Sequence, residues 1–76
     1  MYDVMLEPKK KEEDAIILEF KVHDPSEEST LMDTVLEAHR QIEEKNYAAE
    51  LTVRGIPENR IRTYGFAFQG KNVLIG

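Results

Sequence analysis

The hydrophobic period of this chain changes from two to about 3.6 and back to two, and few architectures accommodate that order. From Ala15 to Val22 the chain is dense in residues that favour extended structure, namely Ile16, Ile17, Leu18, Phe20 and Val22. Between Leu31 and Arg54 apolar residues recur every three or four positions. From Ile61 they alternate again, with Tyr64, Phe66 and Phe68 facing one way and Thr63, Gly65 and Ala67 the other. A strand, a helical stretch and a second strand make a crossover between parallel neighbours, so a partly parallel sheet is expected.

The rest of the chain extends this frame. Tyr2 to Leu6 reads as a short strand stopped by Glu7-Pro8, and the charged run Lys9 to Asp14 is short enough for a hairpin connection. His23-Asp24-Pro25 ends the second strand, because the residue before proline avoids helical geometry. Ser29 or Thr30 can cap the helix, and Thr30 with Asp33 has the form of a capping box. Its apolar stripe is Leu31, Val35, Ala38 and Ile42, widened by Met32, Leu36 and His39. Glu37, Arg40, Glu43, Glu44 and Lys45 take the other side. Asn46 breaks or bends the run. A second helical stretch, Tyr47 to Arg54, stops at Gly55 with Pro57 beyond, and its apolar members are Tyr47, Ala48, Leu51 and Val53. Gln69-Gly70-Lys71-Asn72 supplies a tight turn and Val73-Leu74-Ile75 a return strand. The expected fold is α/β in the mixed sense, β-β-α-(α)-β-β, a mixed sheet with helices packed on it.

With 76 residues there is room for one domain, spanning 1–76. A chain this small buries only about 60% of the surface its unfolded form exposes. It has no cysteine to staple it, which fits a reducing cytoplasm and makes self-association, most simply as a homodimer, the expected support. No apolar run approaches the roughly 18 residues that would span a bilayer, so no membrane partner is expected. The net charge of −5 is concentrated early: residues 1–30 hold nine acids against four bases, whereas residues 58–76 hold one acid against three bases. Such a chain is a poor non-specific binder of nucleic acid, since phosphate contacts need Lys and Arg. Arg60, Arg62 and Lys71 can either meet phosphates or simply line a solvated strand face.

Side chains alternate across a strand, so Ile16, Leu18, Phe20 and Val22 point one way and Ile17, Glu19 and Lys21 the other. Glu19 and Lys21 are then roughly 6.5–7 Å apart on one face. Opposite charges on an otherwise apolar strand are costly to bury unless paired or holding an ion. With Glu7 to Asp14 as the hairpin connection, Asp3 falls opposite the far end of the second strand, near Lys21, so Asp3, Glu19 and Lys21 can converge. Half-buried strands also carry Glu and Lys on a solvated face, and cross-strand Asp–Lys pairs are ordinary. Spacing alone leaves both readings open. His23 and His39 lie on different elements without ligand spacing and read as a surface and a helix-face histidine. The four glycines are dispersed, so no phosphate-binding loop is present.

Asp3, followed by Glu19-Phe20-Lys21, resembles the Asp…(Asp/Glu)-X-Lys signature of the PD-(D/E)XK nuclease superfamily. Tyr2-Asp3-Val4-Met5-Leu6, Ile17-Leu18-Glu19-Phe20-Lys21, Gln41-Ile42-Glu43-Glu44-Lys45-Asn46-Tyr47 and Tyr64-Gly65-Phe66-Ala67-Phe68 are similar to the nuclease-like C-terminal domain of a group of bacterial AAA-ATPase-like proteins. The resemblance spans nearly the whole chain and implies a restriction-endonuclease-like core. It implies a DNA phosphodiesterase in which Asp3, Glu19 and the backbone carbonyl of Phe20 bind Mg²⁺ or Mn²⁺ and Lys21 orients the attacking water or stabilises the developing charge. Gln41 and Tyr47 match the accessory Gln…Tyr element, although a solvated Gln41 and a core Tyr47 are the plainer alternatives. Relatives place a helix and a strand before the metal-binding Asp. The resemblance therefore implies a partial domain lacking them, with weak or no activity alone. The alternative is a non-catalytic remnant that serves as a self-association or regulatory module of an ATPase.

Overall fold

The computed structural model of the protein describes residues 2–10 and 13–76. The elements are β1 (Tyr2–Leu6), β2 (Ala15–Val22), α1 (Leu31–Lys45), α2 (Tyr47–Val53), a single 3₁₀ turn (Glu58–Arg60), β3 (Ile61–Gln69) and β4 (Asn72–Ile75). The charged hairpin connection lies outside the described residues at Lys11 and Glu12.

The strands form one sheet in the order β1-β2-β3-β4. β1 and β2 are antiparallel, β2 and β3 are parallel, and β3 and β4 are antiparallel. The mixed α/β sheet with helices packed on it is thus the fold the hydrophobic periods lead to. Gly70, at φ 59°, makes the turn into β4, where a residue without Cβ carries no penalty for positive φ.

α1 begins at a full capping box. The Thr30 hydroxyl accepts from the Asp33 amide at 3.2 Å, and Asp33 Oδ2 accepts from the Thr30 amide at 3.1 Å. The helix buries Thr34, Val35, Ala38 and Ile42. Met32 and Leu36, which the stripe was expected to include, are 51% and 59% exposed. The reason is that α1 meets the sheet along a narrow line. A Cβ on Gly65 of β3 would stand 3.0 Å from both the Ala38 Cβ and the Val35 carbonyl oxygen, so helix and strand backbones touch where only glycine fits. Neighbours one step around the helix fall outside that contact. Val53 of α2, at 88% exposed, is likewise no core residue, whereas Leu51 is fully buried.

The main core is Ala15, Ile17, Ile42, Leu51 and Ile56, with Met5, Tyr47 and Ile61 packed against it. It lies between the helices and the sheet face that carries Ala15, Ile17, Glu19 and Lys21. The more apolar face, with Ile16, Leu18, Phe20 and Val22, lies away from the helices. There the Phe20 ring meets Phe66 at 4.9 Å and Phe68 at 6.1 Å between centroids, and Val22, Tyr64, Val73 and Ile75 are exposed.

Candidate active site

The face the helices cover is the charged one, which decides between the two readings of Glu19. Its residue is completely buried, flanked along β2 by the fully buried Ile17. A solvated Glu is excluded. Pairing register puts Asp3 of β1 directly opposite Glu19, one pleat short of the expected position near Lys21. Glu19 also pairs with Gly65 on its other side. Lacking a side chain, Gly65 lets α1 approach the strand pair that bears the two carboxylates.

The C-terminal end of α1 supplies the groups that meet them. Asn46, at φ 60°, ends α1 in a left-handed turn, with its amide bonded to the Ile42 and Glu43 carbonyls. The residues on either side of this turn both reach Asp3. Lys45 Nζ lies 2.6 Å from Asp3 Oδ2 and 3.3 Å from Glu19 Oε1, and the Tyr47 hydroxyl donates to Asp3 Oδ2 at 2.6 Å. The mouth is open to solvent: the Asp3 and Lys45 side chains are 28% and 36% exposed, while that of Glu19 is at 0%. Glu19 Oε2 is buried without a hydrogen-bond donor among the described residues.

The two carboxyls are driven apart electrostatically. The Lys45 ammonium, followed by the Tyr47 hydroxyl, holds Asp3 below its ordinary value. Burial pushes Glu19 up, and Lys45 offsets this only partly. Hydrogen bonding to Asp3 raises both Lys45 and Tyr47, so the ammonium stays charged and the phenol stays protonated. A hydrogen bond between the two carboxyl groups widens the contrast, lowering Asp3 and raising Glu19, and Glu19 Oε2 meets no other donor among the described residues. Cations satisfy such a pair.

Lys21, on the same face as Glu19, is held elsewhere. Its ammonium lies 2.6 Å from Oε2 of Glu28, and the two side chains are 12% and 6% exposed. Glu28 Oε1 accepts from the Asp24 amide at 2.8 Å and the Thr34 hydroxyl at 2.9 Å. Against the desolvation that burial imposes, Lys21, that amide and the hydroxyl hold the Glu28 carboxyl below its ordinary value. His23 Nδ1 stands 2.7 Å from Thr34 Oγ1. The single hydroxyl proton of Thr34 goes to the carboxylate, so Nδ1 carries the proton that bonds back to the hydroxyl. His23 is therefore no surface histidine, its side chain being 5% exposed.

The structure thus brings together Asp3, Glu19 and Tyr47, all of them expected, with Lys45, which was assigned to the solvated side. Gln41 stays on the helix, its amide 3.4 Å from Glu37 Oε1. Phe20 follows Glu19 in the chain and turns its ring to the opposite face. Lys45 was nevertheless legible: at i+7 from Ala38 and i+3 from Ile42 it continues the buried stripe, and a lysine there needs a buried acid as partner. Glu28 carried no periodic signal, since it lies in an irregular segment. Among the described residues, Arg62 is bonded to Asp14 at 2.8 Å, a surface pairing.

No group of three or more His, Cys, Asp or Glu side chains among the described residues is placed to hold a metal ion. The site offers two carboxylates, a donor set that suits Mg²⁺, which keeps several waters and takes one or two carboxylates from the protein. The orphaned Glu19 Oε2 is the observation that makes the fit.

No curated protein and no solved structure matches the chain. A family model of the PD-(D/E)XK nuclease superfamily matches residues 1–76. With a mixed sheet of the appropriate kind and an Asp and a Glu paired across its first two strands, the chain belongs to the PD-(D/E)XK nuclease superfamily.

Proposed function

We propose that the domain hydrolyses phosphodiester bonds in DNA with the help of a divalent cation, Mg²⁺ or Mn²⁺, held by Asp3 and Glu19. The observation that carries this reading is the fully buried Glu19 with an unmet carboxylate oxygen, opposite Asp3 at a solvent-open mouth. The backbone carbonyl of Phe20 completes the protein ligands in this reading. A cation bound there supplies water of lowered pKa and screens the phosphate charge. In this reading Lys21, one pleat beyond Glu19, stabilises the negative charge that develops on phosphorus-bound oxygens once its ammonium leaves Glu28, which holds it at 2.6 Å. Tyr47 orients the Asp3 carboxylate. Gln41 receives no direct part, its amide being turned to Glu37.

Incubation of the chain with single- and double-stranded DNA and Mn²⁺ tests the proposal. Slow, cation-dependent cleavage that Glu19→Gln removes is the expected result. Cleavage that persists unchanged in Glu19→Gln overturns it.

A second reading rests on a separate observation, the uncovered apolar sheet face with Val22 68% and Ile75 55% exposed. In this reading the domain is an assembly or regulatory module, attached to an ATPase, that pairs with a second copy through that face. Cation binding without cleavage, together with a concentration-dependent dimer, would favour it.

A further inference from the structure

We infer that Lys45 is the resident counter-cation of the carboxylate pair, and that a divalent ion enters only by ejecting its ammonium. The inference rests on the reading of Asp3 and Glu19 as cation ligands. It adds a residue outside the Asp…Glu-X-Lys signature as the element that sets how tightly the ion is held.

Asp3 Oδ2 accepts from both Lys45 and Tyr47 at 2.6 Å, which spends its two lone pairs. Glu19 Oε1 is engaged by the same ammonium at 3.3 Å. Of the Glu19 oxygens, only Oε2 is free, and it is buried. An Mg²⁺ ion that takes that oxygen and also reaches Asp3 Oδ2 stands about 2.0–2.1 Å from each, beside an ammonium already 2.6 Å from Oδ2. Two cations sharing these oxygens would stand within a few ångströms of one another, where their repulsion is severe in a partly dry site. Tyr47 is neutral and need not leave. Lys45 is the last residue of α1, on a long flexible stem with 36% of its side chain exposed, so it has a short way to water.

The device keeps the protein folded without metal. The ammonium satisfies two carboxylates that would otherwise repel one another, and the site stays selective for ions that bind strongly enough to displace it. Lys21 cannot take this part, because Glu28 holds its ammonium at 2.6 Å.

Mg²⁺ calorimetry on the wild type, Lys45→Met and Lys45→Arg tests the inference, alongside the Lys45 side-chain ¹⁵Nζ resonance of the wild type. Lys45→Met should bind Mg²⁺ about tenfold more tightly, the worth of one charge-assisted hydrogen bond the ion no longer breaks. Lys45→Arg, which keeps the charge, should stay close to the wild type. In the wild type the ion-paired Nζ signal should disappear into fast exchange as Mg²⁺ saturates the site. Equal affinity in all three proteins, or an unchanged Nζ signal at saturation, overturns the part given to Lys45 while leaving the metal site intact. Absence of Mg²⁺ binding in the wild type and in both variants overturns the metal reading and this inference together. If Lys45→Met does not fold without metal, the wild-type Nζ signal decides alone.

Discussion

Glu19 and Glu28 are both hidden from water, and the donors that reach them give the two residues different fates. Glu28 is matched by Lys21, the Asp24 amide and the Thr34 hydroxyl, so it behaves as a structural ion pair that ties the segment after β2 to the sheet and to α1. Glu19 has one shared ammonium and an unmet oxygen, which in the proposed reading a cation meets. Removing the Glu28 charge should therefore cost stability. Glu28→Gln strands a nearly buried ammonium, and a loss of about 3 kcal/mol at neutral pH is expected, read from urea denaturation. The pH dependence follows from the direction of the shift. Glu28 lies below its ordinary value of 4.5 in the folded state, so its stabilisation is present above that value and is lost as pH falls through the folded one. The gap between the wild type and Glu28→Gln should accordingly shrink below about pH 4.5; a gap independent of pH would contradict the ion pair.

At the scale of the elements, the left-handed residue between the helices carries the site. Asn46 at φ 60° lets Lys45 and Tyr47, from two different helices, converge on one carboxylate oxygen. Asn46→Gly should leave stability nearly unchanged, whereas Asn46→Ala should cost about 1 kcal/mol, since a Cβ crowds the following carbonyl in that conformation. Equal stability of the two variants by chemical denaturation would argue against the turn. Much of this layer was legible in the sequence. The capping box of Thr30 and Asp33, the break at Asn46, the stop at Gly55 and the period-two stretch from Ile61 all depend on local chemistry, and all stand in the structure. Met32 and Leu36 were misplaced because hydrophobicity marks a stripe without saying how wide its partner is. Lys45 falls outside a reading in which charge marks solvent, although its position continues the core stripe. Which face of β2 the helices would cover was not legible either, as alternation gives two faces and no preference between them.

For the whole molecule, the consequence of covering the charged face is that the apolar one stays open. Val22, Tyr64, Val73 and Ile75 are exposed on that face, and contiguous exposed apolar patches are where partners dock. Val73→Lys replaces a half-exposed residue on that face and should weaken self-association and with it any concentration dependence of the unfolding midpoint. Sedimentation velocity over a range of concentrations checks this, and a wild type that stays monomeric throughout would contradict it. Among the described residues no helix is long and apolar enough to cross a membrane. On the opposite face β1 and β2 hold two carboxyl groups under the end of α1. Mn²⁺ added in substoichiometric steps broadens amide signals according to their distance from the ion, and so locates it directly. Broadening should be centred on Asp3, Glu19 and Lys45 and should vanish in Glu19→Gln. Broadening centred on the exposed acids Glu43, Glu44 and Glu50, or unchanged in Glu19→Gln, would contradict a cation site between the strands.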